Sequence, residues 1–253
     1  MTAADPADPF DRAARRRQRR RVQPGHDFIA HALAAELAAR VAGAERRFAV
    51  AFDIGGSGVR GDALTVVIDD GAPGDHAAPG VVHLAADADR LPLADGSVDL
   101  VAALGLHAVN DLPGALILAR RVLKPGGLFV AAVVGGATLV EVRADLLAAE
   151  VAVTGRAAAR VLPMVDPQAA PGLLQRAGFA DPVVDVDTLI VRYADLAGCL
   201  RDLRGAGEGN ILRGREPLRR DVLADATRRF AERAVDGRVG VTVQVVYLTG
   251  RGR

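Results

Sequence analysis

Residues 91–136 alternate short apolar runs with turn and helix signals. The runs 98–103, interrupted only by Asp99, and 128–134 are apolar, and between them Asp111 and Pro113 are suited to begin a helix. Continuous apolar runs, in place of alternating ones, are typical of strands that helices cover on both faces. The segment therefore predicts the second half of a doubly wound α/β domain with a largely parallel sheet.

Similar apolar runs before and after this segment predict the rest of the sheet. We expect strands at 48–52, 64–68, 81–85, 98–103, 128–134, 183–191 and 241–249. The last two strands would add an antiparallel edge, and a helix from about residue 138 would be inserted after strand five. The predicted fold is thus a seven-stranded, mostly parallel α/β sheet in residues 25–253, preceded by an Arg-rich arm in residues 1–24.

Charge and cysteine content limit the function classes. The net charge is only +1, so we expect no nucleic-acid partner. The arginines between residues 15 and 21 are expected to form a solvated arm or helix, with a surface for an acidic partner, nucleic acid or a membrane as the alternative. Cys199 is the single cysteine, so we expect no disulfide, a buried structural role and a cytoplasmic location. No apolar run is long enough for a transmembrane helix.

Several motifs follow one another in a specific order. They are FDR at 10–12 with its arginine run, LHAVNDLPGAL at 106–116, GGATLVEVR at 135–143, LLQRAGF at 173–179, DLRGAGEGN at 202–210 and VVYLTG at 245–250. With these motifs the chain resembles class I S-adenosylmethionine-dependent methyltransferases, which have a Rossmann-like fold. Within them it is most similar to the group containing mitochondrial complex I assembly factor 5 and, more distantly, the malonyl-carrier methyltransferase of biotin synthesis.

The resemblance implies S-adenosylmethionine as the cofactor and assigns residues to it. The first strand ends in an acid and a glycine loop, whose glycines let the backbone approach a ligand. An acid after the second strand would bind the ribose, and an acid after the third would bind the adenine edge. In this chain the implied cofactor residues are Asp53, Gly55, Gly56, Gly58, Asp69 (or Asp70), Asp87 and Ala88.

The cofactor half departs from the family pattern. The glycine loop is one residue shorter than acid-x-G-x-G-x-G, and Ala108 stands where the family has Trp. Only residues 53–63 and 71–80 separate the first three strands, whereas a parallel crossover needs about 10 to 12 residues and usually a helix. Either the second strand is misplaced, or the helices that flank the cofactor have been lost.

The substrate side is expected after strands four and five. His107 and Asn110 follow strand four, and His107 is either a general base or a structural histidine. Thr138 and Glu141 fit the S/T-x-x-E capping box, which would explain them without a substrate. Arg143 is a candidate for binding a substrate anion. No metal-ligand set is recognisable, for iron or any other metal.

Three functions remain open from the sequence. The first is methyl transfer to an unidentified acceptor. The second follows from the narrower resemblance, in which the chain hydroxylates an arginine of a respiratory complex I subunit or chaperones that subunit. The third is a non-catalytic binding protein with a degraded cofactor site.

Overall fold

The computed structural model describes residues 8–69 and 79–253, and of Asp69 only the backbone. In chain order the elements are α1 (Arg12–Arg19), α2 (Phe28–Ala42), β1 (Val50–Ile54), β2 (Leu64–Asp69), β3 (Val81–Ala85), β4 (Val98–Leu104), a 3-10 turn (Leu106–Ala108), α3 (Leu112–Val122), β5 (Leu123–Val134), α4 (Val140–Thr154), α5 (Ala170–Ala177), β6 (Ala180–Tyr193), α6 (Leu196–Gly205), α7 (Arg220–Glu232) and β7 (Val239–Arg251). None of the helices in this part of the chain is long and apolar enough to cross a membrane.

The seven strands form one sheet in the order β3-β2-β1-β4-β5-β7-β6. Strands β1 to β5 pair in parallel, whereas β7 runs antiparallel to both β5 and β6. The predicted doubly wound, mostly parallel sheet with an antiparallel edge is therefore confirmed. The helical insertion after strand five is α4.

Helices cover both faces of the sheet, which explains the continuous apolar runs. Leu100 and Val101 are adjacent in β4, and both are fully buried. Val101 packs in the cluster that includes α3 and α5, while Leu100 packs in the cluster that includes α2. Because successive side chains of a strand point to opposite faces, each apolar run supplies two cores.

The first crossover contains no helix, although β1 and β2 pair in parallel from Val50 beside Leu64 to Ile54 beside Ile68. Residues 55–63, all of them described, form an irregular connection. Gly61 makes it possible, since a Cβ there would lie 2.6 to 2.8 Å from three backbone atoms. Strand two was thus correctly placed, and the helix expected after the glycine loop has been lost. Residues 70–78, most of the second crossover, lie outside the described part.

Helices α4, α6 and α7 pack together against β7 in a third apolar cluster. Cys199 of α6 is buried in it, as predicted. Burial, with nearby acidic groups, raises the pKa of the Cys199 thiol to about 12. The thiol therefore stays protonated and packs as a small apolar side chain.

Candidate functional site

A cavity of about 730 Å³ opens at the carboxyl ends of the parallel strands. It lies where the strand order reverses between β1 and β4, the position at which open α/β sheets bind ligands. Helices α1, α2, α4 and α6 contribute the remaining walls. Its volume is in the range of sites for cofactors and other small molecules.

The glycine loop after β1 is shaped by Asp53. One carboxylate oxygen of this buried residue accepts from Ser57 N at 2.7 Å, and the other accepts from Gly58 N at 2.9 Å. Burial raises the pKa of Asp53, against the opposing effect of these hydrogen bonds. Both oxygens are used within the loop, so Asp53 acts by holding the backbone in place.

The glycines of this loop are required by its backbone conformation. Gly55, Gly56 and Gly58 have φ values of 80°, 74° and 76°, in the left-handed region that favours glycine. A Cβ on Gly55 would overlap the carbonyl oxygen of Leu104, whereas a Cβ on Gly58 would have no heavy atom within 4 Å. The loop therefore presents bare backbone to open space, which fits a ligand that approaches closely.

The other implied cofactor residues lie along the same edge. Asp69 ends β2 with its backbone beside Ala85 of β3, and its side chain lies outside the described part, as does all of Asp70. Ala88 borders the cavity and packs against the core. One crevice is thus bordered by the glycine loop, the end of β2 and the turn after β3, the three places that sequence reasoning assigned to the cofactor.

Asp87, the implied adenine ligand, is ion-paired with the N-terminal helix. Arg12 lies 3.0 Å and Arg16 lies 2.7 Å from its carboxylate, and Arg12 also contacts Asp89 at 2.7 Å. Burial alone would raise the pKa of Asp87, but the two arginines lower it overall. Helix α1 is therefore held against the wall on which the adenine was expected.

The arginine segment packs on the domain. Phe10, Ala14 and Arg15 are buried, and Phe10 forms a β-bridge with Leu212. The expectation of a solvated arm is wrong for these residues, although Arg16 and Arg17 are exposed. The physical reason is that α1 has acidic partners on the domain, which one-dimensional charge counting does not show.

His107 and Asn110 contact this segment and the loop after α6. His107 Nε2 lies 3.2 Å from the Glu208 carboxylate, which Arg15 also contacts at 2.8 Å. Asn110 Oδ1 accepts from Phe10 N at 2.8 Å, and its Nδ2 donates to Phe10 O. Both residues border the cavity, but these contacts give them a role in positioning its walls. Glu208 was missed, although the DLRGAGEGN motif contains it.

The capping box predicted at the start of α4 is wrong. The N-cap position is Leu139, at φ 57°, and Thr138 instead exchanges two 3.0 Å hydrogen bonds with the Gln244 backbone of β7. Glu141 accepts from Thr242 N at 3.0 Å. The backbone of β7 therefore competes successfully for both side chains.

Of the three substrate-side candidates, the structure places Thr138 on the cavity wall and leaves Glu141 and Arg143 outside it. Arg143 Nη2 lies 3.5 Å from the carbonyl oxygen of Leu162. Within residues 8–69 and 79–253, no group of three His, Cys, Asp or Glu side chains is placed to hold a metal ion.

Comparison with known proteins relates the chain to two kinds of relative. A family model described as a methyltransferase domain matches residues 65–131. The rat arginine-hydroxylase NDUFAF5, mitochondrial, is 34% identical over 269 aligned positions, which cover 95% of this chain and 76% of that protein. The malonyl-[acyl-carrier protein] O-methyltransferase of Methylovorus sp. is 36% identical over 165 positions, covering 64% of this chain and 54% of that protein.

Further relatives and solved structures also match. The human NDUFAF5 match is 38% identical over 173 positions, covering 67% of this chain, and the chain spans 50% of the human and 53% of the zebrafish protein. Among solved structures, YcgJ of Bacillus subtilis superposes with a TM-score of 0.56 at 13% identity, covering 87% of this chain and 98% of that one. The [4+2]-cyclase SpnF superposes with a TM-score of 0.51 at 17% identity, covering 88% and 81%. These structures share the fold.

Proposed function

Because the chain belongs to the class I S-adenosylmethionine-dependent methyltransferase family that includes the arginine-hydroxylase NDUFAF5, we propose that it binds this cofactor at the glycine loop and transfers its methyl group. The observation that carries the proposal is the loop itself. Asp53 holds Gly55, Gly56 and Gly58 in left-handed conformations at the mouth of the cavity. Maintaining three such residues on the wall of a cavity, with Gly58 facing open space, is a feature of backbone that contacts a ligand.

The backbone of the glycine loop, the end of β2 and Ala88 would hold the cofactor. When bound, the cofactor supplies a methyl group carried on a positively charged sulfur. The contribution of the chain is to orient the acceptor and to exclude water, and positioning alone supplies a large part of the rate in such transfers. Helix α1, fixed by Arg12 and Arg16 to the turn after β3, closes this side of the cavity.

Titration calorimetry with S-adenosylmethionine tests the proposal. We expect one binding site per chain, and at least tenfold weaker binding for Gly58→Ala, whose new methyl group would enter the space in front of the loop. Gly214→Ala is the matched control, because Gly214 has a similar φ of 68°, is also free of atoms within 4 Å of a Cβ and lies outside the cavity. No heat at millimolar cofactor would refute the proposal and favour the non-catalytic binding protein.

A second candidate function comes from the rat relative, whose match covers nearly the whole chain. By similarity to it, the chain would hydroxylate an arginine of a respiratory complex I subunit or chaperone that subunit. Mass spectrometry of co-expressed complex I subunits separates the outcomes. A gain of one methylene supports methyl transfer, and a gain of one oxygen atom supports hydroxylation. Subunits that remain unmodified would count against both reactions on complex I subunits. The cytoplasmic location stays a prediction.

A further inference from the structure

Three titratable side chains from three separate elements meet on the wall of the cavity. His26 precedes α2, Tyr193 ends β6 and Asp202 lies on α6. His26 Nδ1 lies 2.8 Å from Asp202 Oδ1, and Tyr193 lies near the same carboxylate. Burial, with Cys199 and Asp202 nearby, raises the pKa of Tyr193 well above its ordinary value, so the phenol remains protonated. None of these residues belongs to the motifs of the cofactor loop.

The contact with Asp202 determines which ring nitrogen of His26 is available. A neutral imidazole that donates from Nδ1 to a carboxylate carries its lone pair on Nε2. In the described part of the chain, Nε2 has no hydrogen-bond partner. The ring also lies directly on the backbone of Gly205, where a Cβ would overlap it. The small residue at 205 and the acid at 202 together set the position of the ring.

The cavity that His26 borders also has apolar wall residues. They come from the start of α4, from α4 itself, and from α6 and β7, and they are Leu139, Val142, Leu146, Leu200, Leu203 and Val241. Apolar walls with a few convergent polar groups are typical of sites that bury the body of a small molecule and orient it by hydrogen bonds. Burial of the apolar body supplies most of the affinity of such a site.

We propose that the His26–Asp202 pair and its apolar surroundings form the acceptor site, and that this site takes a mostly apolar small molecule through one hydroxyl group, whose hydrogen bond His26 Nε2 accepts. This inference rests on the proposed methyl transfer and names its substrate class. In the transfer, an oxygen lone pair forms the bond to the methyl carbon, the carbon–sulfur electron pair stays on sulfur and the hydroxyl proton moves to His26 Nε2. Asp202 then stabilises the imidazolium.

Binding of 4-butylphenol to the whole 253-residue chain, measured by calorimetry beside its methyl ether, tests the site without requiring turnover. The ether retains the apolar body but has no proton to donate. We expect the phenol to bind about fivefold more tightly, the factor given by a net hydrogen bond of about 1 kcal/mol. In His26→Phe the two compounds should bind equally. His31→Phe, at a side chain that is 76% exposed and paired with Asp27, should keep the preference.

A second variant tests the apolar part of the site independently. Leu203→Asn should weaken the phenol and the ether by the same factor. Equal binding of both compounds to the wild type, a preference that persists in His26→Phe, or unchanged binding to Leu203→Asn would each overturn the proposal. Parallel titration with S-adenosylmethionine distinguishes the two claims. A protein that binds the cofactor but neither compound refutes only the acceptor site, and the reverse result refutes only the cofactor proposal.

Discussion

Arg15 and Glu208 form an ion pair of 2.8 Å between residues 193 positions apart in the chain. The Arg15 side chain is almost fully buried, and it also donates to the carbonyl oxygen of Gly207. Glu208 in turn contacts His107 at the end of β4. One carboxylate therefore joins the N-terminal helix, the loop after α6 and the sheet at the wall of the cavity.

Replacement of Arg15 by leucine should destabilise the protein. Glu208 would keep only His107 and the more distant Arg19, at 4.0 Å. Removing the nearest partner of a buried pair leaves the other charge poorly compensated. Since the Glu208 side chain is 28% exposed, we expect a loss of about 2 kcal/mol in the free energy of unfolding, measured in urea. Arg17→Leu, at an exposed site two residues away, should change it by less than about 0.5 kcal/mol. Equal losses of unfolding free energy in the two variants would contradict a stabilising role of the Arg15–Glu208 pair.

The contribution of Glu208 should depend on pH. Burial alone would raise the pKa of its carboxyl, but Arg15 and His107 hold it far below the ordinary range. A depressed folded-state pKa gives stability that is complete above the unfolded value, about 4.3, and is lost as the pH falls below it. The stability difference between wild type and Glu208→Gln should therefore be largest near neutral pH and shrink on acidification below about pH 4. If urea titrations gave the same stability difference between wild type and Glu208→Gln at neutral pH and below about pH 4, the lowered pKa of Glu208 would be contradicted.

The strands were predictable because each one has a local signal. Runs such as 128–134 are apolar at every position, and burial on both faces of the sheet is their direct physical cause. The glycine loop was equally readable, since Gly55, Gly56 and Gly58 all have positive φ. Local sequence therefore predicted the fold and the glycine loop that borders the cavity.

Partners that are distant in sequence had no such signal. Nothing near Arg12 indicates Asp87, and nothing near His26 indicates Asp202, because these contacts arise only when the chain has folded. The capping box at Thr138 failed for the same reason, since the backbone of β7 offers its side chain better partners than the helix amides do. Hydrogen bonds to a distant strand thus override the local capping-box pattern.

The ion pairs of α1 with the turn after β3 should control opening of the N-terminal helix. In the double variant Arg12→Gln and Arg16→Gln, Asp87 loses both of its arginine partners. We expect amide hydrogen exchange in α1 to rise about tenfold, with exchange in β4 unchanged, because local opening reflects the few contacts that hold an element. Mass spectrometry of exchanged peptides measures this.

The control for that variant is Arg228→Gln with Arg229→Gln. These arginines pair with Asp225 of the same helix, α7, and none of the three residues lines the cavity. Exchange in α1 should match that of the wild type. If α1 exchanged equally fast in both double variants, its ion pairs with Asp87 and Asp89 would not be what holds it in place.

Gly55 and Gly58 should differ sharply in their tolerance of alanine. Both have a positive φ, which costs an L-residue about 1 to 2 kcal/mol. At Gly58 that cost stands alone, because the added methyl group would project into open space. At Gly55 the methyl group would also overlap the Leu104 carbonyl, so β1 and β4 would have to separate. We expect Gly58→Ala to lose about 1 kcal/mol in urea unfolding and Gly55→Ala at least 3 kcal/mol. Similar losses would show that the loop moves freely against β4, and the rigid cradle proposed for the cofactor would then be wrong.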